Sequence, residues 1–173
     1  MKPCICVNYR SKKLKDTVGL FQKSILKGFN LNLYIWVNQY YMFTLNQINA
    51  AHAKVKSGTD FPQYVQDLKQ LGIQEYSQFV TDGHTVYKSI SHEVRSPAIY
   101  QAMHVAATGN TAQLTHHLKI HQAGETDYLT FCRDAAEDGV ERWTVAIAAM
   151  TCTYYDTAGN KMVTEIIPQP RQL

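Results

Sequence analysis

Three histidines within six residues, His116, His117 and His121, form the densest set of potential metal ligands in the chain. On a helix, the four-residue step from His117 to His121 sets two imidazoles one turn apart on the same side, where they can share one ion. A zinc site needs a third ligand, and only Glu125 and Asp127 follow nearby. His117 and His121 also border an apolar stripe of Leu114 and Leu118, so an ordinary helix edge is the simpler account and the metal site the lesser expectation.

Cys132, followed by Arg133 and Asp134, has the surroundings of a thiol nucleophile in composition alone. A reactive thiolate needs a helix N-terminus or a cation in contact. Cys132 instead falls mid-helix on an apolar stripe, and Arg133 projects about 100° away around that helix. An inert core thiol is the expectation, and Cys152, in a strand among aromatic residues, is read the same way. His84, beside Thr81, Asp82 and Thr85, sits at a hairpin tip where a general base is accessible. No Ser or Cys stands at a sharp strand-to-helix turn to complete a triad, and no glycine-rich loop follows a strand to cradle phosphate. Asp134, Glu137, Asp138 and Glu141 read as the solvated face of a helix. These residues predict no catalytic group and no cofactor. The alternative is a small enzyme or metal-binding protein using His84, or His117 and His121 with Cys132.

Eleven tyrosines are the compositional oddity. Tyrosine offers large rigid area with one polar tip, which suits interfaces. Tyr76 and Tyr87 fall on the hairpin face opposite Phe79 and Val86, so either that face is open, a candidate surface for a protein partner together with His84 at the hairpin tip, or helices cover both faces.

The elements that position these residues are legible from caps and periodicity. Thr44 and Gln47 form a T-x-x-Q capping box with Phe43 and Ile48 as staple, predicting a helix over about 45–57 with Gly58 as its C-cap. Pro62 opens a second helix, which Gly72 stops. Strands 75–81 and 84–90 form a hairpin around a two-residue Asp82-Gly83 turn, pairing Thr81 with His84 and Phe79 with Val86. Ser96-Pro97 begins a third predicted helix ending before Gly109, a fourth spans about 111–122, and Thr126 caps a fifth reaching Asp138. Trp143, Val145, Ile147 and Ala149 alternate as a strand. Strands 151–155 and 161–167 form a second hairpin around residues 156–160. The fold class is therefore α+β: a two-layer domain whose antiparallel sheet, built from two hairpins plus a further strand, is covered by about five helices on one face.

At 173 residues, with 45% apolar and 18% charged residues, the chain excludes a disordered segment, a coiled coil and a repeat array. Its net charge of +3 conceals a division, because residues 1–41 hold seven basic residues and one acid. Residues 42–173 hold 10 basic and 13 acidic residues, a net −3, so no nucleic acid is expected as partner. Residues 1–41 read as a basic extension, poorly ordered or foreign to the native protein, with Met42 as the start of the domain. The stretch 29–41 is too short and too polar to span a membrane, and it lacks a signal-peptide cleavage site. A cytoplasmic location follows as the expectation. Residues 169–173 read as a tail, and oligomeric state is not legible.

Four ordered blocks resemble the YdfO-like family of small prophage and bacterial proteins, often labelled "phage envelope protein". They are the opening Met42 to His52 with Lys54 to Pro62, Asp82-Gly83-His84-Thr85-Val86-Tyr87, Thr126 to Trp143 with Phe131-Cys132-Arg133-Asp134, and Met150 to Asp156 with Gly159-Asn160. The similarity covers about 42–168 and leaves out the basic extension. It implies a compact two-layer α+β domain and no known activity, ligand or catalytic residue; a small prophage-type accessory protein that binds another macromolecule is the expectation.

Overall fold

The computed structural model describes residues 42–55 and 58–170. The basic extension and the expectations placed on it lie outside the described residues, as do Lys56, Ser57 and residues 171–173.

The first helix, α1, is Leu45–His52. It starts on the expected capping box: Gln47 N donates to Thr44 Oγ1 at 3.4 Å, and Thr44 N donates to Gln47 Oε1 at 2.9 Å. The staple residues Phe43 and Ile48 are both buried. The helix is shorter than periodicity suggests. Lys54 N bonds Ala51 O and Val55 N bonds His52 O, so the ladder tightens and unwinds before Ser57. Gly58 opens a 3-10 turn, Gly58–Asp60, instead of capping α1. Helix α2, Phe61–Gln70, has Pro62 in its first turn and buries Tyr64, Val65 and Leu68.

The first hairpin joins β1, Glu75–Phe79, to β2, Thr85–Lys88, with Gln78 opposite Thr85 and Tyr76 opposite Tyr87. The register is two residues from the one expected. Phe79 N bonds His84 O and Gly83 N bonds Phe79 O, so the loop is four residues, Val80 to Gly83. A two-residue shift keeps every side chain on its expected face, because the strand period is two. A short third strand, β3, Glu93–Arg95, pairs with β2 and was not visible in the alternation.

The helix expected from Ser96 is absent. Residues 96–110 instead form a strap held from outside: Ile99 N and Met103 N bond the carbonyls of Asp82 and Thr81, and Tyr100 Oη donates to Val80 O at 2.8 Å. Farther on, Ala106 N and Asn110 N bond the carbonyls of Ala136 and Asp138. These tertiary bonds satisfy the backbone donors that a helix would have satisfied locally.

Helix α3, Thr111–Gln122, has the expected bounds and is capped by Asn110, whose Oδ1 accepts from Gln113 N at 3.1 Å. Helix α4, Tyr128–Glu137, is capped by Asp127 instead of Thr126, through Asp127 Oδ1 and Thr130 N at 2.7 Å. Strands β4, Val140–Ala146, β5, Thr151–Asp156, and β6, Lys161–Ile166, complete the chain.

All six strands form one antiparallel sheet in the order β3-β2-β1-β4-β5-β6. The helices of the described residues pack on one face of it. Tyr64 of α2 lies against Tyr76 and Tyr87, Phe131 of α4 lies 5.8 Å from Trp143, and Gln122 of α3 donates to Glu165 at 2.7 Å. Four α-helices and a 3-10 turn therefore cover an α+β sheet, one helix fewer than expected. No helix among the described residues is long and apolar enough to cross a membrane.

Candidate functional site: the open sheet face and the histidine pairs

Register decides which strand residues share a face. One row on the covered face runs Tyr87, Tyr76, Val145, Cys152, each opposite the next on the adjacent strand. All four are buried, Tyr76 to 5% and Tyr87 to 8% exposure. The expectation of an open tyrosine surface is thereby corrected: the two share a face as expected, but it is the one beneath the helices. Alternation cannot say which of two amphipathic faces meets the helices, and here Tyr64, 3.3 Å from Tyr87 through their hydroxyls, closes it. Burial holds the Tyr76 and Tyr64 phenols well above their ordinary range.

The opposite face carries the distinctive chemistry. One row reads Arg95, Val86, Ser77, Thr144, Thr153, Thr164 across all six strands. Its hydroxyls are joined in pairs, Ser77 to Thr144 at 2.8 Å and Thr153 to Thr164 at 3.1 Å. The next row is His84, Phe79, Arg142, Tyr155, Lys161. His84 stacks on Phe79 with centroids 4.4 Å apart, and the Arg142 guanidinium lies 4.7 Å over the Tyr155 ring while also pairing with Glu141. Three rings, His84, Phe79 and Tyr155, and two cations, Arg142 and Lys161, thus lie along one line of the sheet, beside a line of hydroxyls.

His84 is more enclosed than a hairpin tip implies, at 8% exposure. Its Nδ1 sits 2.5 Å from Asp82 Oδ1, and its backbone N also donates to that oxygen. Burial raises the Asp82 carboxyl, but the His84 hydrogen bonds outweigh it and hold the group below the usual carboxylate range. A carboxylate on Nδ1 orients an imidazole as a general base requires. The neighbouring hydroxyls are committed elsewhere: Thr85 Oγ1 donates to Gln78 Oε1, and Ser96 Oγ accepts from Thr85 N and donates to Pro97 O. Among the described residues, no nucleophile is hydrogen-bonded to His84.

His117 and His121 both face α4. His117 Nδ1 lies 2.8 Å from Asp138 Oδ2, and His121 Nδ1 lies 3.1 Å from Thr126 Oγ1 and 3.2 Å from its carbonyl oxygen. His121 also stacks on Phe131 with centroids 4.5 Å apart. Asp138, expected on a solvated face, is buried to 4%. Sequence spacing showed the pair but missed Asp138, whose role depends on how α3 lies along α4. Cys132 does not join the histidines. It is fully buried, and burial raises its thiol above the ordinary value. Burial also pushes Cys152 up to about 12. Among the described residues, no group of three or more His, Cys, Asp or Glu side chains could hold a metal ion.

The architecture is that of a two-layer α+β domain with helices on one sheet face. The match of residues 49–166 to the family described as "Protein of unknown function (DUF1398)" places the chain in that family. No curated protein matches it in sequence.

Proposed function

We propose that this chain is a protein-interaction module without catalysis, which docks a partner on the open face of its sheet. The observation that carries this reading is the row His84, Phe79, Arg142, Tyr155, Lys161 beside the Ser77, Thr144, Thr153, Thr164 hydroxyls. Arginine and aromatic residues dominate interface energetics, and hydroxyls adapt to a partner's polar groups at small cost in side-chain entropy. Charge selects the kind of partner. The face carries Lys88, Arg95, Arg142 and Lys161 against Glu75, Glu93 and the Glu141 paired with Arg142, while residues 42–173 as a whole are net −3. An acidic patch on a protein is the complement. In keeping with the resemblance to the YdfO-like family, the module is read as a prophage-type accessory protein acting in the cytoplasm.

The test is affinity purification of a tagged chain from its own host, comparing wild type with R142E/Y155A and with K119E on exposed α3. Circular dichroism and thermal unfolding establish that all three fold. One stoichiometric partner held by wild type and K119E, and lost from R142E/Y155A, is the expected result. Recovery of no partner, or equal recovery with the double variant, overturns the reading.

A further inference from the structure

The two ring nitrogens of a histidine lie on opposite edges of the imidazole, so fixing one aims the other. Helices α3 and α4, joined by residues 123–127, run antiparallel. His117 bonds Asp138 at the C-terminal end of α4, and His121 bonds Thr126 just before its N-terminal end. Ten helical residues span about 15 Å, whereas the two histidines stand only about 6 Å apart along α3. The two Nδ1 atoms are therefore drawn apart, toward opposite ends of α4. The Nε2 edges are the ones left over, one helical turn apart in sequence, and the described residues supply neither Nε2 with a hydrogen-bond partner. The His117 side chain is 23% exposed, so the pair is reachable from solvent.

From this we infer that His117 Nε2 and His121 Nε2 form a two-point site for a borderline transition-metal cation of the zinc, nickel or copper(II) type. The outer partners match those of metal-ligating histidines, which commonly give their second N–H to a carboxylate or a backbone carbonyl. Asp138 serves His117 in this way, and the Thr126 carbonyl serves His121. Phe131 fixes the His121 ring by stacking. Asp127 is committed to capping α4, so water completes the coordination sphere and the site is open. Such a site serves exchange or a bridge to a second molecule, unlike a closed four-ligand zinc site that holds up a fold.

Calorimetric titration of the full chain with Zn²⁺, and separately with Ni²⁺, tests the site at neutral pH. One ion per chain is expected, with heat lost in H117A and in H121A and retained in H116A. D138N, which keeps both ligands and removes only the outer carboxylate, is expected to weaken binding by about 10-fold to 100-fold. Long-range ¹H–¹⁵N spectra of the wild-type imidazoles give a readout independent of variant folding: Zn²⁺ is expected to shift the Nε2 signals of His117 and His121 together. Absence of binding, an equal loss in H116A, or shifts confined to other histidines overturns the assignment and leaves an adventitious ion only.

Discussion

The hydrogen bond between His117 and Asp138 links stability to pH in a definite direction. The Asp138 hydrogen bond raises the His117 pKa in the folded chain, and burial opposes it with smaller effect. A folded-state pKa above the unfolded value of about 6.5 means that protonation favours the fold. The contribution is complete below about pH 6.5 and is lost as pH rises through the raised value. Urea midpoints of wild type and H117Q should therefore converge on going from acid to alkaline solution, and a constant difference from about pH 5.5 to 8.5 would contradict the linkage. The cysteines make a second prediction. With Cys132 and Cys152 buried and their thiols raised, neither should be alkylated within minutes at about pH 8 in the native state. Peptide mapping after iodoacetamide treatment checks this, and rapid native labelling of Cys132 would restore it as a candidate nucleophile.

Elements here succeed or fail by what holds their ends. Gly139 follows α4 with φ +80°, and a Cβ there would meet Thr108 O at 2.5 Å and Gly109 Cα at 2.9 Å. Gly159 has the same φ with nothing within 4 Å. G159A should then cost about 1–2 kcal/mol in urea unfolding, the ordinary left-handed penalty. G139A should cost clearly more, because the strap's backbone must also move, and equal costs would refute the packing account. Y100F removes the Tyr100 to Val80 bond and should destabilise by about 1 kcal/mol, with hydrogen exchange rising mainly in residues 96–110. These contrasts also show what the sequence carried. Helix α3, the Thr44 capping box and the second hairpin follow from local signals in caps, glycines and alternation, whereas the first hairpin has its strands and faces but a four-residue loop in place of the two-residue turn. The strap reads as a helix in sequence because Ser96-Pro97 is a sound local start, and it is overridden by carbonyls contributed from Thr81, Asp82, Ala136 and Asp138. Strand β3, three residues long, is too brief to show a period. The candidate site was legible as residue types and spacing, but burial and partners were not. Tyr76 and Tyr87 needed knowledge of where α2 lands, and Asp138 needed the antiparallel seat of α3 on α4.

On the scale of the whole molecule, the sheet is two three-stranded meanders laid edge to edge. Strands β1, β2 and β3 form one, β4, β5 and β6 the other, and strand pairing joins them only along β1 and β4. Every other strand pair links neighbours in the chain, so each half is assembled by short loops, whereas the seam closes a loop of more than sixty residues from Phe79 to Arg142. Helices α1 and α2 precede the first meander, and α3 and α4 precede the second. The strap bonds the first half through its early residues and the second through its late ones. Such a layout makes the protein divisible. A chain cut in the strap yields two pieces, each with its own helices and meander. Mixed together, they have a five-residue strand edge and the severed strap to recognise one another by, so the domain is suited to reconstitution from separately produced halves.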